Sequence, residues 1–424
     1  MPENCLRRTS GPSLSLEATQ KPDRFVEVLI VGGGPAGSAA AITLARAGIE
    51  AVVIDKAEFP RDKICGDGLT TGALRLLEEL GLLPESVESW QDAQDCWVRS
   101  PSGTTRLFEL PRTGGTFAAI ATRKDLDQAL LNLARKEGAE VLDGHALVAA
   151  HEDSRGITAE VENLGVIRAN WVIGADGMWS PLRKHLGVST QGYLGEWHAF
   201  RQYISGVGPV AAKDLFISFE ADLLPGYFWS FPLPGGRANI GFGIQRDGVR
   251  KTKEMKALWL DLLDRPHIRA ILGPDFVPEE PHRAWPIPAR VDNMVPTTQR
   301  ALFVGDAVAA CDVMTGEGIA QALVTGLRAA EAIRDHGRSS NAAQQYANAL
   351  KLELVADHRM SKLLVKGLSS VSGADRAVRI AGASAWTRRN FGRWLFEDYP
   401  RALIATPRRW GRGVITQPGA YASR

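Results

Sequence analysis

The sequence predicts an α/β fold in which a parallel-sheet domain is split along the chain, carries an inserted antiparallel β-sheet and ends in a helical segment. Three observations predict it: a glycine-rich turn between an apolar strand and an Ala-rich helix near the start, two later apolar strands ending in Asp-Gly or Gly-Asp, and an aromatic strand followed by a glycine-rich one between them. The 424 residues are 45% hydrophobic and 23% charged, ordinary for a globular chain of two or three domains. Lys and Arg number 50 against 48 Asp and Glu, so the formal charge of +2 gives no reason to expect nucleic acid as a partner.

Residues 1–23 carry Arg7, Arg8 and Lys21 without an apolar stretch and are expected to be a disordered leader. Nowhere is there a run of about eighteen apolar residues, so no membrane span is expected. Cys5, Cys65, Cys96 and Cys311 have neither CxxC spacing nor a companion His pattern. A zinc site, any other metal and a disulfide framework are therefore not expected, and a reducing cytoplasm fits best.

Phe25 to Val31 is an apolar, β-branched run leading into Gly32-Gly33-Gly34-Pro35-Ala36-Gly37 and an Ala-rich helix to Gly48. Gly32, Gly34 and Gly37 form G-x-G-x-x-G, and a second strand, Ala51 to Ile54, delivers Asp55 and Lys56 about twenty residues further on. This is a Rossmann-like dinucleotide site. Gly32 permits the turn, Gly34 lets backbone approach a pyrophosphate, Gly37 lets helix and strand pack, and Asp55 accepts from a ribose. The alternative is a glycine turn with no ligand, which the complete βαβ context disfavours.

Val172 to Gly177, with Asp176 followed by Ser180, Pro181 and Arg183, resembles the DG motif of flavoproteins with the p-hydroxybenzoate-hydroxylase fold. Ala301 to Asp306 resembles their GD motif, and Thr315-Gly316-Glu317-Gly318-Ile319 follows at the start of a helix to Ile333. The resemblance implies FAD as resident cofactor, with Gly305 and Asp306 at its ribityl chain. It also implies that the N–H groups at the start of that helix face the pyrimidine edge of the isoalloxazine ring, where the dipole favours negative charge. Arg123 stands where such proteins carry an FAD-contacting Arg, unless Thr122 or Asp125 simply caps the helix Leu126 to Glu137. Val148, on the strand Ala146 to Ala150, is expected beside the adenine.

Phe59-Pro60-Arg61-Asp62-Lys63-Ile64-Cys65-Gly66-Asp67-Gly68-Leu69 resembles the FPRxKxCGDGL segment of the geranylgeranyl reductase family. That implies a loop beside the flavin, approached by the backbone of Gly66 and Gly68, with Asp67 in the cofactor site. Cys65 is either close to the isoalloxazine or a small buried residue; Arg61 and Lys63 hold FAD phosphates or are solvated. Leu224 to Pro232 (LPGYFWSFP) resembles the family's PGYxWxFP motif. In a strand Tyr227, Trp229 and Phe231 share one face, and Ala238 to Ile244 reads as the antiparallel partner with Asn239, Gly241 and Gly243 on one face. Rings beside glycines make a slot for a flat ligand or a polyprenyl chain, with a plain sheet core as the alternative. Trp285, with Phe200, Phe216 and Phe219, extends the lining. The family often has Pro where this chain has Asp312-Val313-Met314-Thr315, and Asp55 replaces the commoner Glu.

The expected boundaries are 24–90, 118–190 and 284–345 for the three parts of the FAD-binding domain, 91–117 and 191–283 for the substrate domain, and 346–424 for a basic helical tail. The resemblance implies an FAD-dependent reductase of isoprenoid double bonds, supplied by transient NADPH or a ferredoxin-type donor. Hydride would pass from flavin N5, with Tyr227 or Cys65 as proton source. From Arg359 onward thirteen Lys and Arg face three acids, leaving the remainder of the chain at −8. Mixed with Trp386, Phe391 and Trp394, those cations suit the surface of an anionic bilayer, or else pack on the protein's own acidic remainder. Monooxygenases and halogenases share the fold, although halogenases carry WxWxIP where this chain has YFWSFP. A non-catalytic FAD-binding protein is the reading from another class.

Overall fold

The computed structural model describes residues 21–246, 252–339, 341–396, 400–403, 406–407 and 417–422. Most of the expected leader lies outside these residues. Its end, Asp23, is already tied to the first sheet, where its N–H donates to Val166 O (2.9 Å) and its carboxylate accepts from Val166 N–H (2.8 Å).

The first sheet has seven strands. Glu140–Asp143, Ala51–Asp55, Arg24–Val31, Gly165–Gly174 and Ala301–Phe303 run parallel in that order, and Gly156–Val161 and Leu147–Asp153 continue from Gly165–Gly174 as an antiparallel extension. Its central strands are apolar on both faces because helices cover both: Val28, Leu29, Ile30, Val52, Val53 and Ile54 are wholly buried. The helices Pro35–Arg46 and Ile319–His336 meet almost backbone to backbone, since a Cβ on Gly326 would lie 2.1 Å from Ala36 O.

The second sheet has eight strands, in the order Val277–Pro278, Trp197–Ser205, Arg237–Gln245, Tyr227–Leu233, Leu215–Ser218, Asp95–Arg99 and Thr105–Glu109, with Arg283–Ile287 also on Trp197–Ser205. It is antiparallel except where Leu215–Ser218 runs parallel to Asp95–Arg99; these strands lie far apart in the chain, so a long connection is available. The sheet also runs past the expected boundary at 283, to Ile287. Alternation gives it two apolar faces. Phe200, Phe216, Phe228 and Phe242 pack under the helices Thr252–Asp264 and Pro266–Leu272, while Tyr227, Trp229 and Phe231 turn toward the first domain.

After the first sheet's last helix the chain forms Ala342–Leu350, Ala356–Leu368, Val371–Ala381 and Ala385–Leu395. Ser370 caps the third of these at Gly373 N–H (3.1 Å), and Ser384 with Thr387 forms a capping box on the fourth. Among the described residues no helix is long and apolar enough to cross a membrane, and no group of three or more His, Cys, Asp or Glu is placed to hold a metal.

Candidate active site

A cavity of about 1040 Å³ runs between the two sheets, from the glycine turn to the aromatic strand and on to the C-terminal helices. At the turn, Gly32 has φ +109°, and a Cβ there would lie 2.3 Å from Ala175 O. A Cβ on Gly37 would fall 1.9 Å from Gly32 O. Gly34, by contrast, faces the cavity together with Pro35 and Ala36. Gly33 and Gly37 do not line the cavity; they shape the turn from behind, Gly33 donating its N–H to Asp55 Oδ2 (2.8 Å). The other Asp55 oxygen accepts from Ala57 N–H (2.9 Å), so both are oriented, and Lys56 stands exposed beside it at the cavity wall.

A residue that motif reading missed organises the charges opposite Gly34. Asp127, fully buried in the helix Arg123–Glu137, accepts from Arg123 Nε (2.7 Å) and NH2 (2.8 Å) and from Arg61 NH1 (2.9 Å). Both guanidiniums are thereby aimed at the turn, their NH2 groups 3.7 Å from where a Gly34 Cβ would sit. The Arg123–Asp127 spacing is readable as an i,i+4 pair, but Arg61 arrives from another part of the chain.

The loop from Arg61 to Gly68 crosses between the domains. Lys63 lies over the Trp285 ring (3.7 Å), and burial pushes its ammonium below the usual lysine range despite Asp306 nearby. Cys65 faces the cavity with its thiol pushed up to about 11 by burial and by Asp67, so it is protonated at neutral pH. Gly66 and Gly68 also line the cavity, but a Cβ on either would meet Phe231 first, at 3.6 and 3.2 Å.

Asp67 lines the cavity, as expected, while its carboxylate is engaged inside the protein: it accepts from Tyr203 Oη (2.6 Å), Asn239 Nδ2 (2.8 Å) and, more loosely, Arg123 N–H (3.3 Å). Burial raises it to about 6 in spite of these donors. Asn239 also donates to Cys65 O (2.9 Å) and accepts from Trp229 Nε1 (3.1 Å), so one buried amide joins loop, motif cysteine and aromatic strand. Arg201, 1% exposed, adds ion pairs to Asp62 (2.8 Å) and Glu280. No short motif signals this junction, because its members come from six segments.

On the aromatic strand Tyr227, Trp229 and Phe231 do share a face and line the cavity, with ring centroids 6.3 Å apart in succession. The glycine stripe beside them is only half open. Trp229 lies across Gly241, where a Cβ would come 2.3 Å from its ring and 2.2 Å from Phe200 O, so Gly241 is covered and does not line the slot. Gly243, opposite Tyr227, has nothing within 4 Å of a Cβ position and opens onto the cavity. Tyr227 Oη donates to Thr315 O, tying this strand to the Gly316–Gly318 turn, and burial with Glu317 and Asp312 nearby raises its phenol. Asp312, which stands in the stretch where the family often carries Pro, holds that turn from below, accepting from Thr315 N–H (2.8 Å) and Ser361 Oγ (2.7 Å).

Two further expectations are corrected. The N–H groups opening the helix Ile319–His336 are not both free for a ligand: those of Ile319 (2.9 Å) and Ala320 (3.0 Å) donate to Glu317 Oε1. Gly316, Gly318 and Ile319 still line the cavity, as do Gly305 and Asp306, whose Oδ1 lies 3.3 Å from Cys311 Sγ. Val148 points outward at 39% exposure, since the strand begins at Leu147 and alternation turns Leu147 inward; His145, Ala146 and Leu147 form the cavity wall instead. Asp176 lines the wall with Oδ2 bound to Leu182 N–H (2.9 Å) and a buried Oδ1 that has no hydrogen-bond partner, and burial raises its carboxyl to about 6.

These features fit FAD: a turn whose Cβ positions are closed except toward the cavity, two guanidiniums facing it, an oriented Asp55, an orphaned Asp176 oxygen, and room for a dinucleotide. Residues 25–333 match the family model for an FAD binding domain. A menaquinone reductase from Mycolicibacterium smegmatis is 33% identical over 341 residues, covering 73% of this chain and 77% of that protein. A digeranylgeranylglycerophospholipid reductase 2 from Methanopyrus kandleri is 31% identical over 332 residues, 76% of this chain and 81% of that protein. The chain belongs to the geranylgeranyl reductase family of FAD-dependent oxidoreductases. A solved geranylgeranyl bacteriochlorophyll reductase-like protein from Thermoplasma acidophilum has the same fold, with a TM-score of 0.75 at 22% identity over 91% of this chain and all of that one.

Proposed function

We propose that this flavoprotein reduces isoprenoid carbon–carbon double bonds, on a geranylgeranyl-type chain or the side chain of a prenylquinone. The observation that carries the reading is the open, apolar end of the cavity, where Gly243 leaves space opposite Tyr227 beside Trp229 and Phe231. Relatives named for menaquinone and digeranylgeranyl-lipid reduction support the substrate class. Reduced FAD supplies the hydride. The glycine turn, Arg61 and Arg123 would bind its phosphates, Asp55 would orient its ribose, and Gly305 and Asp306 would face the ribityl chain. An isolated alkene also needs a proton, and among the residues that hold one at the cavity wall are Cys65, at Sγ, and Tyr227, at Oη. Tyr227 must release Thr315 O to deliver its proton, whereas Cys65 is a free thiol facing the cavity. NADPH or a ferredoxin-type protein would reduce the flavin in a transient encounter.

The test is anaerobic. The purified holoprotein is reduced, a menaquinone or geranylgeranyl diphosphate is added, and the oxidised-flavin band is followed alongside product mass. Return of the band with a product whose prenyl chain is heavier by two hydrogens, a gain that survives reoxidation of any quinol in air, supports the reading. Flavin that stays reduced until oxygen is admitted, with an oxygenated product, overturns it in favour of a monooxygenase.

A further inference from the structure

We propose that the helices Ala356–Leu368 and Val371–Ala381, with the start of Ala385–Leu395, form a docking surface for an anionic lipid bilayer around the mouth of the cavity. The proposal rests on the prenyl-reductase reading for its purpose, but its physical basis is separate. On the first helix Arg359, Lys362, Leu363 and Lys366 recur at helical spacing and are exposed, while His358, Ser361 and Val365 are buried on the opposite side. On the second, Arg376, Arg379 and Ile380 are exposed against buried Ala374, Val378 and Ala381. Leu363 is 61% exposed, Ile380 60% and Trp386 73%, an unusual cluster of large apolar side chains to leave in water.

Position decides what these side chains are for. Leu363, Leu368, Arg376, Ala377 and Ile380 line the same cavity as Tyr227 and Gly243, so exposed Leu363 and Ile380 rim an opening that leads to the aromatic slot. A polyprenyl substrate is dissolved in a bilayer, and a mouth set into the lipid surface spares it a passage through water.

Among the described cations of the tail, two groups stand out. Arg401 pairs with buried Asp312 (3.4 Å), Lys362 with Asp292 (3.2 Å), and Arg393 is buried with NH2 on Gln417 O (2.6 Å). Self-packing accounts for these. Lys366, Arg376, Arg379 and Arg389 make no ion pair with any described residue, and all four are exposed on these helices. The chain before Arg359 carries −8, so an anionic surface attracts this face and repels the rest, which orients the molecule mouth-down. Exposed Trp386 suits the headgroup level of such a surface.

The holoprotein is sedimented at low salt with vesicles of phosphatidylcholine alone and with added phosphatidylglycerol. The expected result is binding only to the anionic vesicles, lost at high salt. The variant Lys366→Glu/Arg379→Glu/Arg389→Glu is expected to lose about a hundredfold in partitioning, at roughly fivefold per cation. Trp386→Ser should lose a smaller factor while keeping the salt dependence. FAD content and turnover of detergent-dispersed substrate should match the parent in both variants. Absence of binding to anionic vesicles, or equal binding by the triple variant, overturns the docking surface. Docking without prenyl reduction would leave the surface standing and remove the proposed reaction.

Discussion

The two ends of the cavity are built by different means. At the nucleotide end the turn itself is set within a short stretch of chain, since Gly32, Gly34 and Gly37 lie within six positions and Asp55 is fixed by Gly33 N–H at 2.8 Å, while Arg61 and Arg123 are brought to it by Asp127. At the aromatic end every wall is a contact between distant segments. Trp229 is held by Asn239, Asn239 by the carbonyl of Cys65 and the carboxylate of Asp67, and Tyr227 by Thr315. The first end therefore tolerates almost no change in backbone, and the second tolerates change wherever side chains leave room.

The largest expected effect is at the turn. In Gly37→Ala the new methyl sits 1.9 Å from Gly32 O, a backbone atom that cannot swing aside. We expect at least a hundredfold loss of FAD retention, read from the flavin-to-protein absorbance ratio, with circular dichroism separating loss of cofactor from loss of fold. A fully yellow, stable Gly37→Ala protein would erase the contrast between the two ends.

A pair of substitutions then divides the aromatic end itself. Gly241→Ala meets both Phe200 O and the Trp229 ring, and should cost about 1–3 kcal/mol, seen as a lowered Tm of the holoprotein. Gly243→Leu, two residues away on the same face, enters open space and should leave Tm nearly unchanged. It should instead raise KM for a long prenyl substrate at least tenfold. If the two variants behave alike, Gly243 does not open onto the substrate path.

This difference also explains what was legible in the sequence. The split α/β domain, the glycine turn and the shared face of Tyr227, Trp229 and Phe231 follow from local spacing, and the structure has them. Whether Gly241 or Gly243 was the open one did not follow, because it depends on which way Trp229 leans, and that is set by its bond to Asn239. The partners of Asp67 were hidden for the same reason: a motif places a residue in a loop without showing that Tyr203 and Asn239 donate to its carboxylate. Val148 failed by a single position of strand register.

Asp67 offers a graded test of the domain junction. Its carboxyl is raised from 3.8 to about 6, so the stability it contributes is present below about 3.8 and is lost as pH rises through about 6, where the buried charge must be borne. The Tyr203 hydroxyl lowers that cost by donating to the charged form. Tyr203→Phe should push Asp67 further up and destabilise the protein by about 1.5–3 kcal/mol at pH 8, with the deficit shrinking by pH 5, where Asp67 is largely neutral. Thermal melts at the two pH values read this directly; a deficit independent of pH would mean that the Tyr203–Asp67 bond is not what closes the junction.

The smallest effect bears on where the two ends meet. Glu317 sits at the start of the helix Ile319–His336 and takes the N–H groups of Ile319 and Ala320 on its own carboxylate. A helix end favours negative charge nearby, and reduced flavin brings such charge, so an acidic cap works against the cofactor's reduced form. Glu317→Gln removes that charge while keeping an acceptor for the two N–H groups. With a helix end worth about 0.3–1 kcal/mol, and 30 mV equal to about 1.4 kcal/mol for two electrons, the flavin midpoint potential should rise by roughly 5–20 mV. Dye-equilibrated reductive titration of the holoprotein measures it. A rise assigns Glu317 to setting the potential, whereas an unchanged value would mean that its charge is already balanced within the turn and that the carboxylate serves only to cap the helix.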